Sequence, residues 1–247
     1  MSMFLKSAIA AAALAIMPVA AQATTLTVVS FTGAARGQNL TYRNNGAPGW
    51  NLSTVTPKSV LVTLEDFGGN FASGVAANWS FTGTGTSFAV NTSGNQWSQA
   101  FTGGTLSFTS TAAFSLGSTV YAAGSNILSV TFVGGELSGT VPGTTGSAQV
   151  SIPSGGFTTV TSDFLSFPPT TLTDFSISLS NVSPGFSFGG AGGLGTQTNG
   201  RFNNFTARGS GDFTATVVPE PATWAMLVLG FSLVGFAARR RQVRVAA

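Results

Sequence analysis

The chain of 247 residues contains no cysteine and no histidine, and only 7% of its residues are charged. Without cysteine there is no disulfide framework, no thiolate metal site and no thiol nucleophile. Without histidine the serine–histidine triad and the imidazole-ligated zinc site fall away as well. Lysine is almost missing too. Lys58 is the one lysine between Thr24 and Ala238, and no phosphate-binding loop surrounds it. An ordinary soluble protein is about one quarter charged; here 32 glycines and abundant Ser, Thr and Asn supply the polarity instead.

What chemistry remains is that of carboxylates. A glycosidase sets two acids on either side of the scissile bond, but Glu65, Asp66, Glu136, Asp163 and Asp174 each read as turn or strand-end residues, and nothing in the sequence pairs two of them. Glu65 and Asp66 with Asn70 offer hard oxygens in a glycine-rich turn, without the spacing of a calcium loop. The expectation is a protein that is not an enzyme and has no cofactor and no metal.

The formal net charge of +3 misleads, because half the basic residues sit at the ends: Lys6 near the start and Arg239, Arg240, Arg241 and Arg244 near the finish. Between Thr24 and Ala238 five basic residues face seven acidic ones, 5 − 7 = −2. A faintly acidic body argues against nucleic acid as a partner.

Residues 1–23 read as a signal peptide: Lys6, the apolar run Ala8–Met17, a helix-breaking Pro18, then Ala21-Gln22-Ala23. Small Ala21 and Ala23 suit the narrow pockets of signal peptidase, so cleavage is expected before Thr24. No cysteine follows, which excludes a lipoprotein anchor.

A second apolar run, residues 222–238, has no charge and would make about 25 Å of helix, the short end of a membrane span. Its Leu, Val and Phe side chains each favour insertion by roughly 0.3–0.6 kcal/mol, whereas one arginine at mid-bilayer costs roughly 2.5–3.5 kcal/mol. The run therefore enters the bilayer and the cluster at residues 239–244 stops it. Immediately before it stand Pro219-Glu220-Pro221, and then Trp224-Ala225-Met226. Two prolines around one residue hold the backbone extended and remove two amide donors, leaving a strand a protease can read. Trp224 suits the membrane interface.

This order of parts, residues 219–244, resembles the PEP-CTERM sorting domain in its variant with a Trp-Ala pair, a module also labelled an ice-binding protein C-terminal domain. The resemblance implies an exosortase-like membrane protease that reads Pro219, Glu220 and Pro221. It also implies a precursor held in the inner membrane by its C-terminal helix, and a final place at the cell surface or in the exopolysaccharide matrix of a Gram-negative bacterium.

The body, residues 24–218, alternates apolar and polar residues with period two, as in Val60-Val62-Leu64, Leu106-Phe108, Leu128-Val130-Phe132, Phe175-Ile177-Leu179 and Phe213-Ala215-Val217. Turn clusters such as Gly68-Gly69-Asn70, Gly134-Gly135 and Ser183-Pro184-Gly185 separate these runs. The pattern predicts an all-β, jelly-roll-like β-sandwich ectodomain, with phenylalanines filling the core. A formal GxGxxG at Gly190, Gly192 and Gly195 lacks the helix a dinucleotide site needs.

Two stretches suggest contacts. Tyr42 and Trp50 bracket the polar loop of residues 43–49, and aromatic faces beside amide donors are how a shallow sugar site is built. Thr82-Gly83-Thr84-Gly85-Thr86 has the spacing of a flat threonine row, but it occurs once and does not repeat along the chain. The sequence predicts a structural surface or matrix protein, with a polysaccharide-binding module as the alternative.

Overall fold

The computed structural model describes residues 23–33, 38–45, 49–54, 56–142, 148–152, 156–167, 171–188 and 200–217. The described residues form strands β1 (Thr24–Gly33), β2 (Leu40–Asn44), β3 (Trp50–Ser53), β4 (Lys58–Glu65), β5 (Phe71–Gly85), β6 (Val90–Ser93), β7 (Gln96–Ala100) and β8 (Gly103–Ser110). They continue with β9 (Phe114–Leu116), β10 (Thr119–Tyr121), β11 (Asn126–Phe132), β12 (Glu136–Thr140), β13 (Ala148–Ile152), β14 (Phe157–Thr161), β15 (Thr171–Ser183) and β16 (Phe205–Val217). No helix occurs among the described residues, so the fold class is all-β as the alternation predicts.

Fourteen strands share one sheet, with the path β14-β11-β8-β5-β3-β2-β16-β15-β13-β12-β7-β6; β1 joins β16 to β4, and β4 pairs with β5. Two pairs of consecutive strands line the same neighbour. β3 and β4 both run against β5, with Leu52 opposite Gly83 and Val60 opposite Ala77. β1 and β2 both run along β16. A side chain supplies hydrogen bonds at each interruption. Thr54 Oγ1 accepts from the Phe81 amide at 3.2 Å, and buried Asn39 accepts from the Gly209 amide through Oδ1 at 2.7 Å. Backbone groups of a sheet interior must be paired, and these two residues satisfy groups that a strand would otherwise serve.

Three further pairs of consecutive strands, β7 with β8, β11 with β12 and β13 with β14, take places on opposite halves of the strand path. β8, β11 and β14 lie side by side, and their sequence neighbours β7, β12 and β13 also lie side by side. At the bend after β11, Gly134 and Gly135 take φ of 79° and 114°, a region where a Cβ is unfavourable. Side chains from distant parts of the strand path meet in the core. Phe81 on β5 meets Phe175 on β15 at 6.4 Å between ring centroids, and Phe31 on β1 meets Phe108 on β8 at 4.9 Å.

Glycines on the inward side let these rings approach the backbone. A Cβ at Gly83 would collide with the Phe101 ring, one at Gly85 with the Trp50 ring, and one at Gly209 with the Trp79 ring at 2.7 Å. The threonine–glycine alternation of β5 thus has a structural reason on one side: each glycine is a floor for an aromatic ring.

Candidate functional site

Tyr42 and Trp50 are not at the surface. Tyr42 is fully buried and Trp50 is 1% exposed, so the expectation of a shallow sugar site on these two rings is corrected. Leu40 and Tyr42 on β2, and Trp50 and Leu52 on β3, all point inward in the strand period. Tyr42 stacks on Phe205 at 4.9 Å with an interplanar angle of 4°, and Trp50 packs on Phe101 at 4.8 Å. The Tyr42 hydroxyl donates to Gln99 Oε1 at 3.0 Å, and Gln99 Nε2 donates to the Ser87 carbonyl at 3.0 Å. Burial pushes the Tyr42 phenol well above its ordinary value; the Gln99 hydrogen bond and the Arg201 charge offset part of that rise. The pair ties β2 to β7, five steps apart along the sheet.

The carboxylates stay apart in local roles. Asp66 Oδ1 accepts from the amides of Gly68 at 2.9 Å and Asn70 at 2.8 Å, and Oδ2 accepts from Asn70 Nδ2 at 2.8 Å. This closes the turn between β4 and β5 and uses the same oxygens a cation would need. Asp163 accepts from the Asn126 amide at 2.7 Å, and Asp174 accepts from the Phe175 amide at 2.8 Å. Among the described residues no three of His, Cys, Asp or Glu come together.

The outward side of the sheet carries an arrangement that no motif announced. Thr82, Thr84 and Thr86 are exposed while Gly83 and Gly85 face the core. Register then places Thr206, Thr41, Ser53, Thr82, Thr105, Thr131 and Thr159 opposite one another across seven consecutive strands, β16 to β14. At about 4.8 Å between strands this hydroxyl row is about 29 Å long. A second row, Ser80, Ser107, Ser129 and Thr161, runs beside it over four strands. Those four strands, β5, β8, β11 and β14, contain no charged residue. The repetition absent along the chain is present across it.

The two ends of the body lie together. The hydroxyls of Thr25 on β1 and Thr216 on β16 are 2.7 Å apart. Ala23 is exposed, one residue before β1. The expectations that fall on residues 1–22, Ala21 included, and on residues 218–247 lie outside the described residues; the latter include Pro219, Glu220, Pro221, Trp224, the helix 222–238 and Arg239, Arg240 and Arg241. Among the described residues no helix is long and apolar enough to cross a membrane.

Comparison with known families meets the chain where β16 ends. The match is to a sorting signal, which places the chain among exported proteins that an envelope system sorts. The signal is the PEP-CTERM protein-sorting motif, whose family model matches residues 217–241, and the sorting system it indicates is of the exosortase type. No curated protein and no solved structure matches the chain.

Proposed function

We propose that the body, residues 24–218, is a non-catalytic structural β-sandwich of the cell surface or extracellular matrix of a Gram-negative bacterium. Signal peptidase removes residues 1–23 before Thr24. The helix 222–238 then holds the precursor in the inner membrane, with Arg239, Arg240 and Arg241 as its stop. An exosortase-like protease reads Pro219, Glu220 and Pro221 and frees the body from its helix. The observation that carries this reading is the sorting-motif match at residues 217–241. Mass spectrometry of surface and membrane fractions tests it. Mature protein is expected to begin at Thr24 and to lack the residues from about Trp224 onward, and Glu220→Ala to accumulate as uncut membrane precursor, since insertion depends on other residues. An intact C-terminal peptide on surface protein, in cells that possess an exosortase, would overturn the reading.

A second reading, favoured by the charge-free hydroxyl rows, is contact with a neutral polysaccharide. Adjacent strands turn by about 20° relative to one another, so a seven-strand row winds and does not lie in a plane. A flexible sugar polymer can follow such a path, whereas a crystal face such as ice cannot. Affinity electrophoresis through a neutral polysaccharide gel tests it: retardation of the wild type should disappear in the double variant Thr82→Lys, Thr105→Lys with the circular dichroism unchanged. Equal mobility of the two proteins in gels with and without polysaccharide would remove this reading.

A further inference from the structure

The strand path has two ends, β6 and β14, and among the described residues no strand pairs with β14 on the side away from β11. A terminal strand presents unpaired N–H and C=O groups, a template on which another strand can form. Charge, proline or a bulge commonly blunts such an edge. β6 is blunted in this way. It has four residues, and its register against β7 shifts in the middle, between Asn91 and Ser93. The side chains of Asn91 and Thr92 turn back onto the carbonyls of Gly94 and Gln96.

β14 is different. Phe157-Thr158-Thr159-Val160-Thr161 contains neither charge nor proline, and four of its five residues are β-branched, the type that suits a strand. Its register shift falls at the Phe157 end and leaves Thr159, Val160 and Thr161 regularly paired with β11. Thr159 and Thr161 are exposed. The segment is also suited to pair with itself. Thr159 is its midpoint, so an antiparallel copy centred there sets Phe157 opposite Thr161, Thr158 opposite Val160, and Thr159 opposite its own counterpart. No charge meets a charge within that pairing. Thr159 is moreover the residue at which the seven-strand hydroxyl row ends. The same pairing joins two rows into one of fourteen strands, about 62 Å long.

We propose that two copies of this chain associate edge to edge through β14, antiparallel about a two-fold axis at Thr159. Main-chain hydrogen bonds supply the attraction, as in other cases of strand addition. A two-fold contact occupies the same edge on both copies, so assembly closes at the dimer. All the residues involved lie in the body, and the inference stands whether or not the tail is cut.

Sedimentation velocity of the full-length chain in mild detergent, over a range of concentrations, tests this. The wild type should show a reversible monomer–dimer equilibrium. Thr159→Lys and Thr159→Asp each set like charges face to face at the axis, and each should weaken dimerisation at least about tenfold with circular dichroism unchanged. An equimolar mixture of the two variants should restore the dimer, because opposite charges then meet. The chain has no cysteine, so cross-linking gives a second readout. Directly opposed residues of antiparallel strands lie about 4.5–5.5 Å apart, within disulfide reach, and Thr159→Cys should couple two copies on oxidation. Thr131→Cys, one strand further in and about 14 Å from its counterpart, should not. A monomer at every concentration would overturn the proposal. So would a dimer that neither charge weakens, a mixture that fails to restore it, cross-linking at Thr131→Cys in place of Thr159→Cys, or open-ended polymers, which require unlike edges to meet.

Discussion

Replacing Trp50 by alanine separates a core ring from a sugar-binding ring. Trp50 is 1% exposed, packs against Tyr42 at 5.5 Å and Phe101 at 4.8 Å, and lies over the backbone of Gly85. Truncation leaves a cavity with sheet backbone on one side, which cannot collapse into it. Loss of a buried Trp side chain costs about 3–5 kcal/mol. Against a total stability of about 5–15 kcal/mol that is a large share. At about 2–4 °C per kcal/mol for a chain of this size, Tm should fall by roughly 6–20 °C. Trp50→Phe should cost much less, because the indole Nε1 has no hydrogen-bond partner to lose. Urea titration followed by circular dichroism measures both. A loss below about 1 kcal/mol for Trp50→Ala, the ordinary range for a surface change, would refute the placement of this ring in the core.

Tyr42→Phe removes the donor to Gln99 Oε1, which is 1% exposed at the residue level, and should cost about 1–3 kcal/mol in the same titration. Because burial holds the Tyr42 phenol neutral, its contribution is complete below the ordinary phenol value near 10 and is lost as pH rises from there toward the raised value; the Phe variant should lack this alkaline limb. Gly104→Ala should destabilise by about 1–3 kcal/mol, since its Cβ would meet the Thr82 carbonyl and the Phe132 ring, whereas Gly49→Ala meets only the Gly85 carbonyl at 3.5 Å and should be close to neutral in thermal melts. Burial raises the Asp66 carboxyl, but hydrogen bonds from the Asn70 side chain and the Asn70 and Gly68 amides together outweigh it and hold it low. Its contribution is therefore present above the ordinary value near 3.9 and is lost as pH falls through the lowered one, so Asp66→Asn should flatten the acid limb of a stability–pH profile.

Strand identity was legible wherever apolar residues alternate over at least three positions. Val60, Val62 and Leu64 are all buried, as are Phe175, Ile177 and Leu179. Tyr42 and Trp50 obey the same period, Leu40 to Tyr42 and Trp50 to Leu52, but the polar loop between them dominates a linear reading and suggests a surface site. The available signal was the phase of the strand and not the chemistry of its neighbours. Pairing was not legible, because alternation says which side a residue faces and never which strand lies beside it. The hydroxyl rows were hidden for that reason: Thr41 and Thr159 are far apart in sequence and become members of one row only through register.

The sorting motif, by contrast, is matched by its family model as a run of consecutive residues, so residue order alone carries it. The face of the body has to be argued differently, and β5 supplies the argument. Its glycines at 83 and 85 are demanded by Phe101 and Trp50, which leave no room for a Cβ. Its threonines at 82 and 84, and Thr86 just beyond its end, are demanded by nothing inside, because they are exposed. The same holds for Thr105, Thr131 and Thr159 on the neighbouring strands. Sheets commonly place lysine at such positions, above all on a terminal strand, where charge discourages pairing with another chain. β14 ends the strand path and carries no charge at all. Folding would tolerate charge on these outward positions, and resistance to aggregation would favour it, so its absence from four adjacent strands is not explained by the core. A neutral, hydrogen-bonding exterior fits surroundings made of polymer hydroxyls, where a charge would have to give up its water to make contact. The double lysine variant proposed above tests this point directly, because it alters the face while leaving every ring and every inward glycine in place.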